Sequence, residues 1–402
     1  MTRVLILSNL YPSPHVPTRG TFNLQGFRAL SAYCATRIVV PVLWWERARR
    51  PLEWLVTPRS KATGIEAVYP SCWHVPQVHP LHPWTMHASV SGYVRRIHRE
   101  FPFDAILASW ACPDGVAAAR LAQEFNCPVV TMVLGTDVNA LAAHPGLRRP
   151  LEWGLQQAAK VITVSGALRD RVVELGVAPE RVLVQHNGVD GERFRIRDSQ
   201  AARKRLGLAP ERRLVTFVGN LVHEKGVDVL IEAMGELRGP GDDTLDLALV
   251  GAGGMAETLR QRADALGIGQ RVRFCGRRPH EEIADWITAA DLFCLPSRRE
   301  GCPNVVLEAL ASGRPVVASR VGGLPELVTD ESGVLVPSEN PSALADGLRA
   351  ALERAWQPEA LRATVPCLSW DEFGRTLHET LETAIQEHRQ ISVAASTRRA
   401  TA

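Results

Sequence analysis

Glu300 and Glu308 stand eight positions apart in the stretch SRREGCPNVVLEALASGRP, and carboxylates can accept hydrogen bonds from sugar hydroxyls. Pro303 suits the first position of a helix, because its missing N–H would have no partner there in any case. Gly313 and Pro315 end that helix before the next apolar run. The sequence therefore predicts Glu300 in the loop before the helix and Glu308 about one turn into it.

The surroundings of Glu308 decide what it can bind. Its neighbours in NVVLEALA are apolar, so the helix is expected to be buried on most sides. A buried carboxylate without donors is unfavourable by several kcal/mol, and a pair of ribose hydroxyls would supply the donors. The free N–H groups at the helix start favour a diphosphate, and Glu300 would contact sugar hydroxyls. The alternative is an exposed Glu308 paired with a lysine or an arginine.

Short apolar runs alternate with helical stretches along the first half of the chain, for example RVLILSN, FDAILASW, PVVTMVLG and KVITVS. Near-continuous apolar strands are typical of parallel sheets that are covered on both faces. The same alternation starts again at RRLVTFVGN, residues 212–220, and continues through LDLALVGAG and PVVASRVGG. The sequence therefore predicts an α/β fold of two doubly wound domains that face a cleft, with ligands at the carboxyl ends of the strands.

Changes in composition indicate the domain boundaries. We predict an N-terminal domain over residues 1–190, a polar connector over 191–211 and a C-terminal domain over 212–368, which contains Glu300 and Glu308. SWDEFGRTLHETLETAIQEHR is typical of a helix, which we predict over 369–390 and expect to pack back on the N-terminal domain. Residues 391–402 lack periodicity, and we predict that they form a disordered tail.

Length, charge and cysteine content exclude several classes of protein. The chain has 402 residues, a formal net charge of +3 and eight cysteines without a C-x-x-C pair. The charge is too small to indicate nucleic-acid binding, and the cysteine spacing indicates neither a zinc site nor a disulfide framework. The start, MTRVLILSNLYP, lacks the pattern of a signal peptide, and no apolar stretch is long enough to span a bilayer. We therefore expect a cytoplasmic protein.

Residues 44–86 interrupt the alternation and are expected to form a long excursion from the sheet. Trp44–Lys61 mixes tryptophans with basic residues, as segments at a membrane surface do, and a solvated loop over a packed edge has the same pattern. The histidines of this region are His74, His79, His82 and His87. They lack the spacing of a metal site, so we interpret them as part of a loop near the acceptor. The chain has no D-x-D motif for a metal-bound diphosphate.

The spacing E-x7-E, followed by ALASGRPVVAS and VGGLPE, resembles the group 1, family-four retaining glycosyltransferases, which have the GT-B fold of two Rossmann-like domains. Further matching motifs are VGNLVHEKGVDVLIEA, LVGAGGMAETL, VRFCG, LPS and HNGVDGERF, which follow the family's order and cover nearly the whole chain. NLYPSP, RGTFNLQGFRALS and ASWACPDGVAAA most resemble members that build bacterial cell-surface polysaccharides such as teichuronic acid.

The resemblance implies a set of site residues. Gly20 in TRGTF falls where the family has a phosphate-contacting glycine, and Lys225 in HEKG falls where a lysine stabilises the leaving diphosphate. Without the resemblance, Gly20 is equally a plain turn glycine and Lys225 a solvated surface lysine. The implied catalytic residues are Glu300, Lys225 and Asp137. The implied donor-binding residues are Gly20, Asn220, Lys225, Gly251, Gly253, Arg273, Gly276, Glu300, Gly301, Pro303, Asn304, Val305 and Glu308.

Two positions depart from the family pattern. Asn220 stands where the family usually has arginine, so either Arg273 or Arg298 supplies the missing charge or the leaving group is stabilised less strongly. Leu134 stands where relatives often have a histidine that approaches the donor sugar, so the sugar lacks that hydroxyl or another residue holds it. Asp137 remains as a polar group at the same strand end, either as a substrate contact or as a helix N-cap.

LVGAGGMA also satisfies the G-x-G-x-x-A pattern of dinucleotide-binding folds. That fingerprint expects an acidic residue at the end of the next strand, where this chain has Arg277 and Arg278. The motif also lies in the middle of the chain, and the first strand carries no glycine fingerprint. We therefore assign these glycines to the nucleotide side of the predicted cleft and not to a dehydrogenase.

The residues and the resemblance together predict an enzyme that moves a sugar from a nucleotide-diphospho-sugar to an acceptor hydroxyl, with retention at the anomeric carbon. The acceptor is expected to be a saccharide or a lipid-linked saccharide, and neither a metal nor another cofactor is expected. The rival interpretations are a sugar epimerase or a phosphorylase of the same fold, and a sugar-nucleotide-binding subunit without activity. The expected location is the cytoplasm, with peripheral contact to the inner face of the cytoplasmic membrane as one alternative.

Overall fold

Two separate sheets organise the chain, one in each of two units. A computed structural model describes residues 1–13, 16–48, 59–60, 64–74, 79–237 and 244–400. The first unit comprises Met1–Gly188 together with Trp370–Ala402, and the second comprises Val189–Ser369. The sequence of the second unit is therefore inserted in that of the first.

The first unit is built on parallel strands. They are β1 (Arg3–Leu7), β2 (Ala35–Val39), β3 (Val42–Leu43), β4 (Arg59–Ser60), β5 (Glu66–Val68), β6 (Ser71–Cys72), β7 (Ala105–Ser109), β8 (Val129–Val133), β9 (Lys160–Thr163) and β10 (Val182–Val184). The main sheet has the order β10-β9-β8-β7-β1-β2-β5-β4, and β4 is antiparallel to β5. β7 and β8 are buried along their whole length, which explains why their sequences are apolar without alternation.

We predicted that residues 44–86 leave the sheet, but the described part of this range returns to it. β5 pairs with β2 in the main sheet, because Ala67 and Val68 are apolar enough to be buried there. β3 and β6 pair in a second, two-stranded parallel sheet beyond the ends of β2 and β5. Most of the predicted membrane-surface segment after Ala48 lies outside the described residues, as do residues 75–78 among the histidines.

Helices cover the sheet of the first unit. They are α1 (Thr21–Leu30), α2 (Trp44–Ala48), α3 (His82–Glu100), α4 (Val116–Phe125), α5 (Thr136–Asn139), α6 (Pro145–Gln157), α7 (Gly166–Glu174) and the C-terminal helix Trp370–Ala400. The C-terminal helix packs on α1 so closely that a Cβ on Gly374 would lie 2.5 Å from the carbonyl carbon of Ala29. We predicted that this helix ends at residue 390 and that 391–402 are disordered. It continues to Ala400 instead, because no glycine or proline in that stretch stops it.

The second unit is a six-stranded parallel sheet. Its strands are β11 (Arg213–Val218), β12 (Leu245–Val250), β13 (Val272–Gly276), β14 (Leu292–Leu295), β15 (Val316–Ser319) and β16 (Gly333–Val336). They have the order β13-β12-β11-β14-β15-β16. The chain therefore reverses its direction of winding between the adjacent strands β11 and β14, as it does between β1 and β7 in the first unit. Ligands of doubly wound sheets bind beyond the carboxyl ends of the strands at such a point.

The helices of the second unit connect these strands. They are α8 (Ser199–Leu206), α9 (Val227–Glu236), α10 (Ala256–Ala265), α11 (His280–Ala289), α12 (Asn304–Ala311), α13 (Leu324–Leu327), α14 (Pro341–Glu353) and α15 (Pro358–Ala363). The predicted connector, 191–211, contains α8 and belongs to this unit. Pro303 is the capping residue before α12 and not its first residue, since its ψ of 111° is extended.

The described residues can be compared with the predictions on membrane spans and metal sites. Within the described ranges, none of the helices has both the length and the apolar character needed to cross a membrane. Among the same residues, no group of three or more His, Cys, Asp or Glu side chains is arranged to hold a metal ion. His74 and His82 lie close together, with ring centroids 4.1 Å apart.

Candidate functional site

Lys225 and Glu300 meet at the point where the second sheet reverses its winding. Lys225 ends a short turn after β11, and Glu300 lies in the loop after β14. Lys225 Nζ lies 2.6 Å from Glu300 Oε1, and Ser297 Oγ donates to the same oxygen at 2.6 Å. The Glu300 side chain is 7% exposed and that of Lys225 is 27% exposed. Two residues that are 75 positions apart in the sequence thus form one charged pair.

Glycines allow the backbones of these loops to approach each other. Gly226 has a φ of 62°, and a Cβ at that position would lie 2.0 Å from the carbonyl oxygen of Pro296. Gly322 in VGGLPE has a φ of 54°, and its Cβ would lie 2.0 Å from the carbonyl oxygen of Glu300. Gly323 N–H also donates to Gly301 O at 3.0 Å. The sequence analysis did not single out Gly226 and Gly322, although both stand in motifs that it used.

Arg298 has a different role from the one we predicted. Its guanidinium binds both carboxylate oxygens of Asp228 at 2.8 Å, contacts Glu339 at 2.9 Å and donates to His223 O at 2.6 Å. Although burial works against it, the Arg298 guanidinium holds the pKa of Asp228 below its ordinary value. Arg298 is therefore paired with two carboxylates and fixes the turn that carries Lys225. It does not supply the charge that Asn220 lacks.

Arg273 also lies away from the Lys225–Glu300 pair. It is the second residue of β13, and its Nη1 donates to Leu206 O at 3.4 Å. Together with Arg212 and Asp246 it lines a groove of about 730 Å³ near the amino ends of the strands. Lys225 and Glu300 follow the carboxyl ends, so the prediction that Arg273 contacts the donor is wrong. Arg273 stands near the start of the motif VRFCG, so its place in the sequence already indicated the amino end of the strand.

The predicted glycines Gly251, Gly253 and Gly276 lie at the carboxyl ends of the adjacent strands β12 and β13. Gly251 and Gly253 follow β12, where the backbone after β11 is too close for a Cβ atom. Gly251 N–H donates to Gly276 O at the end of β13, at 2.9 Å. Asn220 follows β11 and is exposed. These residues lie at the same edge of the sheet as Lys225. Gly301 follows Glu300 directly, and Asn304 and Val305 are the first two residues of α12.

Glu308 is buried, as we predicted, and its partner is a histidine. It is 8% exposed, and its Oε1 lies 3.1 Å from His280 Nε2 at the start of α11. His280 Nδ1 lies 2.6 Å from Arg193 Nη1, and the ring packs edge-on against Phe194. The alternative, an exposed Glu308 paired directly with a lysine or an arginine, does not describe this environment. Sequence reasoning missed His280, because a single histidine 28 positions away carries no local signal.

Gly20 caps α1 in the first unit. Its φ is 60°, and a Cβ there would lie 2.1 Å from Leu10 O, so a glycine is needed whether or not a phosphate binds. Asn23 Nδ2 donates to Leu10 O at 2.7 Å, and Ser109 Oγ donates to Asn23 Oδ1 at 2.9 Å. The loops after β1 and β7 are thus tied together where the first sheet reverses its winding.

Asp137 is placed differently from the substrate contact that we predicted. It is fully buried, and its oxygens accept from the N–H groups of Ala111 at 2.8 Å, Gly135 at 2.8 Å and Leu134 at 3.1 Å. Burial raises the pKa of Asp137 to about 6. Its carboxylate therefore holds the loops after β7 and β8 and is not open to a substrate.

Asp114 is a second buried carboxylate, which the sequence analysis quoted only as part of ASWACPDGVAAA. Its Oδ1 accepts from Asn9 N–H at 3.1 Å, and its side chain is fully buried. Burial raises the pKa of Asp114 well above its ordinary value. Asp114 thus holds the loop after β1 through Asn9, the residue before Leu10.

Comparison with protein families gives two matches that together cover most of the chain. Residues 198–367 match the model "Glycosyl transferases group 1", and residues 53–193 match "Glycosyltransferase Family 4". The chain is 30% identical to the putative teichuronic acid biosynthesis glycosyltransferase TuaC of Bacillus subtilis over 371 residues, which are 89% of this chain and 91% of that protein. It is 38% identical to D-inositol 3-phosphate glycosyltransferase 1 of Catenulispora acidiphila over 62% of this chain and 64% of that enzyme.

Solved structures share the fold over nearly the full length. Sucrose-phosphate synthase from Thermosynechococcus elongatus has a TM-score of 0.74 at 20% identity, with 98% of this chain and 100% of that chain covered. Anabaena HepE in complex with UDP and glucose has a TM-score of 0.70 at 21% identity, with 99% and 100% covered. At such identities the likeness shows a common fold of two Rossmann-like domains.

Proposed function

The chain belongs to glycosyltransferase family 4, among the group 1 glycosyl transferases with the GT-B fold, and from that premise we propose that it transfers a sugar from a nucleotide-diphospho-sugar to an acceptor hydroxyl. The single observation that carries the proposal is the Lys225–Glu300 pair beyond the carboxyl ends of β11 and β14. A cation and a carboxylate at this point of a doubly wound sheet match the two parts of such a donor, a diphosphate and a sugar.

In this proposal Lys225 stabilises the charge that develops on the departing diphosphate. Its ammonium group is partly exposed, and the N–H groups at the start of α12 add positive potential near the same loop. Such preorganised donors lower a barrier because they act on charge that appears only as the bond breaks. Since the sequence has no D-x-D motif and Lys225 provides positive charge, we propose that the transfer needs no metal.

Glu300 is proposed to orient the sugar. Ser297 and Lys225 both bind its Oε1, which fixes the carboxylate before a substrate arrives. Glu308 is proposed to accept hydrogen bonds from ribose hydroxyls, because it is a buried carboxylate whose contact with His280 involves only Oε1. We also propose as donor contacts the remaining residues that the family resemblance implies, which are Gly20, Asn220, Gly251, Gly253, Gly276, Gly301, Pro303, Asn304 and Val305.

We propose that the transfer retains the configuration of the anomeric carbon. In a front-face route, the leaving phosphate oxygen takes the proton of the acceptor hydroxyl while an oxocarbenium-like centre forms. This route needs no protein base, which agrees with the buried position of Asp137. Glu300 then holds the sugar and does not attack it.

The comparisons support the choice of donor class. HepE, a neighbour in fold, has been solved in complex with UDP-glucose, at a TM-score of 0.68. Donors with a uridine diphosphate group are therefore the first that we would test on this chain. The relative from Bacillus subtilis is named for teichuronic acid biosynthesis, so we propose a saccharide or a lipid-linked saccharide as the acceptor.

The aromatic cluster of the first unit supports contact with such an acceptor at the inner face of the cytoplasmic membrane. Trp73 is 59% exposed and stacks on Trp44, with ring centroids 5.8 Å apart. Both residues follow the ends of the paired strands β3 and β6. An exposed tryptophan pair suits a sugar ring or a lipid headgroup region.

The test is a donor assay on the purified protein. UDP-sugars, then GDP- and ADP-sugars, are incubated with and without an extract of bacterial cell-surface saccharides, and the released nucleoside diphosphate is measured. If the protein transfers sugar, release of the nucleoside diphosphate should require the acceptor and should be strongly reduced in Lys225→Ala. An epimerase would interconvert sugars without acceptor, and a phosphorylase would need inorganic phosphate. Tight nucleotide binding without turnover on any extract would point to the inactive subunit and would contradict the proposal.

A further inference from the structure

Three side chains of the second unit form a relay that ends on Glu308. Arg193 Nη1 lies 2.6 Å from His280 Nδ1, and His280 Nε2 lies 3.1 Å from Glu308 Oε1. A guanidinium can only donate, so His280 must accept at Nδ1 and carry its hydrogen on Nε2. The ring therefore donates to the carboxylate. Arg193 fixes the tautomer of His280, and His280 fixes one oxygen of Glu308.

The groups around the relay hold it in place. Asp190 and Glu281 lie 3.6 and 3.7 Å from the guanidinium of Arg193, and the ring of Phe194 packs against His280. The side chain of Glu308 is 11% exposed and that of His280 is 44% exposed. Within the described part of the chain, His280 is the only hydrogen-bond partner found for the Glu308 carboxylate, and it contacts only Oε1. The second oxygen, Oε2, is the one left to accept a hydrogen bond from a ligand.

We propose that Arg193 and His280 are positioning residues for ribose recognition, which they serve by orienting the carboxylate of Glu308. The inference rests on the proposed nucleotide-sugar function and adds two residues that none of the matched motifs assigns to donor binding. An unsupported Glu308 side chain would have to lose its rotamer freedom when the ligand binds, and that loss weakens the interaction. A carboxylate held by His280 has already lost this rotamer freedom, so its hydrogen bond to a ribose hydroxyl forms with a smaller loss of conformational entropy.

The test compares ligands that differ only in the ribose. UDP, GDP and ADP are titrated calorimetrically against their 2′,3′-dideoxy analogues, and the pair that binds most tightly is used for the variants. For the unchanged protein we expect at least about tenfold preference for the ribose form, which corresponds to about 1.4 kcal/mol. Glu308→Ala should abolish that preference.

His280→Ala should reduce the preference to about twofold or threefold and leave the affinity for the dideoxy analogue unchanged. His280→Gln should restore most of it, because the amide can donate to Glu308 and accept from Arg193. Arg193→Leu should give an intermediate loss, since the histidine tautomer is then no longer fixed. Glu282→Gln is the control, since Glu282 lies in the same turn of α11 and pairs with Arg278 at the surface.

Two results would overturn the relay. If His280→Ala weakened both ligands of a pair equally, His280 would serve only the local structure. If His280→Ala left the preference intact while Glu308→Ala removed it, Glu308 would not need the relay. Absence of binding to every nucleoside diphosphate would instead refute the proposed function itself, together with the relay that depends on it.

Discussion

Lys225 Nζ and Glu300 Oε1 lie 2.6 Å apart, although one residue follows β11 and the other follows β14. The pair forms because these two strands are neighbours where the winding of the sheet reverses. Each charge therefore satisfies the other before a donor binds. A donor that enters must replace or share this contact, which makes both residues sensitive probes of the reaction.

Replacement of Lys225 by alanine is expected to reduce the turnover number by about 10²–10³-fold, the cost typical of losing one preorganised donor to a developing oxyanion. The substitution also leaves Glu300 without its cation at a position that is 7% exposed. Steady-state kinetics on the first active donor would measure the effect. Lys160→Ala is a suitable control, because Lys160 pairs with Glu387 in the first unit. Unchanged turnover in Lys225→Ala would exclude the assigned role.

Glu300→Gln keeps the size of the side chain and removes its charge. If Glu300 orients the donor sugar, we expect turnover to fall by about 100-fold with a smaller change in the affinity for the nucleoside diphosphate, since the diphosphate has other partners. Parallel measurement of kcat and of UDP binding separates the two effects. Full turnover in this variant would show that the carboxylate is not needed, and an equal loss in binding would assign it to the nucleotide.

Gly226 and Gly207 form a matched pair of variants that tests how closely the backbone after Lys225 approaches the backbone at Pro296. Both have a φ of 62°, but a Cβ on Gly207 meets nothing within 4 Å, whereas on Gly226 it would lie 2.0 Å from Pro296 O. Gly207→Ala should cost only the left-handed strain of about 1 kcal/mol, and Gly226→Ala should cost about 2 kcal/mol more. Urea unfolding of both variants gives the comparison. Equal losses would mean that the loops separate easily.

Asp137 is expected to make stability depend on pH in a defined direction. Burial raises its folded-state pKa to about 6, so the folded protein binds a proton that the unfolded chain has already released. Stability from this group is therefore greatest below the unfolded pKa and is lost as the pH rises toward about 6. Asp137→Asn removes this dependence. The unfolding free energy of the variant, relative to that of the unchanged protein, should therefore rise by about 2 kcal/mol between about pH 4 and about pH 7.

Two other contributions to stability must be separated from the titration of Asp137. Asp114 has a pKa raised in the same direction by burial, and it is present in both proteins. The variant is also expected to be less stable overall by about 1–3 kcal/mol, since an amide cannot accept from the N–H groups of Ala111, Leu134 and Gly135 as a carboxylate does. Parallel stability curves for the two proteins across this range would contradict the assignment.

The sequence predicted what depends on periodic patterns. Uninterrupted apolar runs predicted the two parallel sheets, because strands that are covered on both faces are apolar on both faces. The apolar neighbours of Glu308 predicted its burial in the same way. Lys225 and Glu300 came together because both follow strand ends, which is a property of the topology.

Side-chain partners could not be predicted in the same way. His280 reaches Glu308 from a helix start, and Arg193 reaches His280 from a loop. The type and spacing of these residues do not indicate either contact. Arg273 stands in the expected strand but near its amino end. The three N–H groups around Asp137 come together through loop geometry that the sequence pattern does not contain. Matched motifs therefore located the site but did not give its hydrogen bonds.

The return of the C-terminal helix to the first unit has a consequence for synthesis of the protein. Residues 189–369 emerge from the ribosome as one continuous stretch and can fold as soon as they are complete. The first unit lacks the helix that packs on α1 until the residues after 369 have also been made. The first unit, whose synthesis starts earlier, is thus completed after the second unit. A nascent chain that stalls near residue 369 should hold a folded second unit beside an unfinished first one.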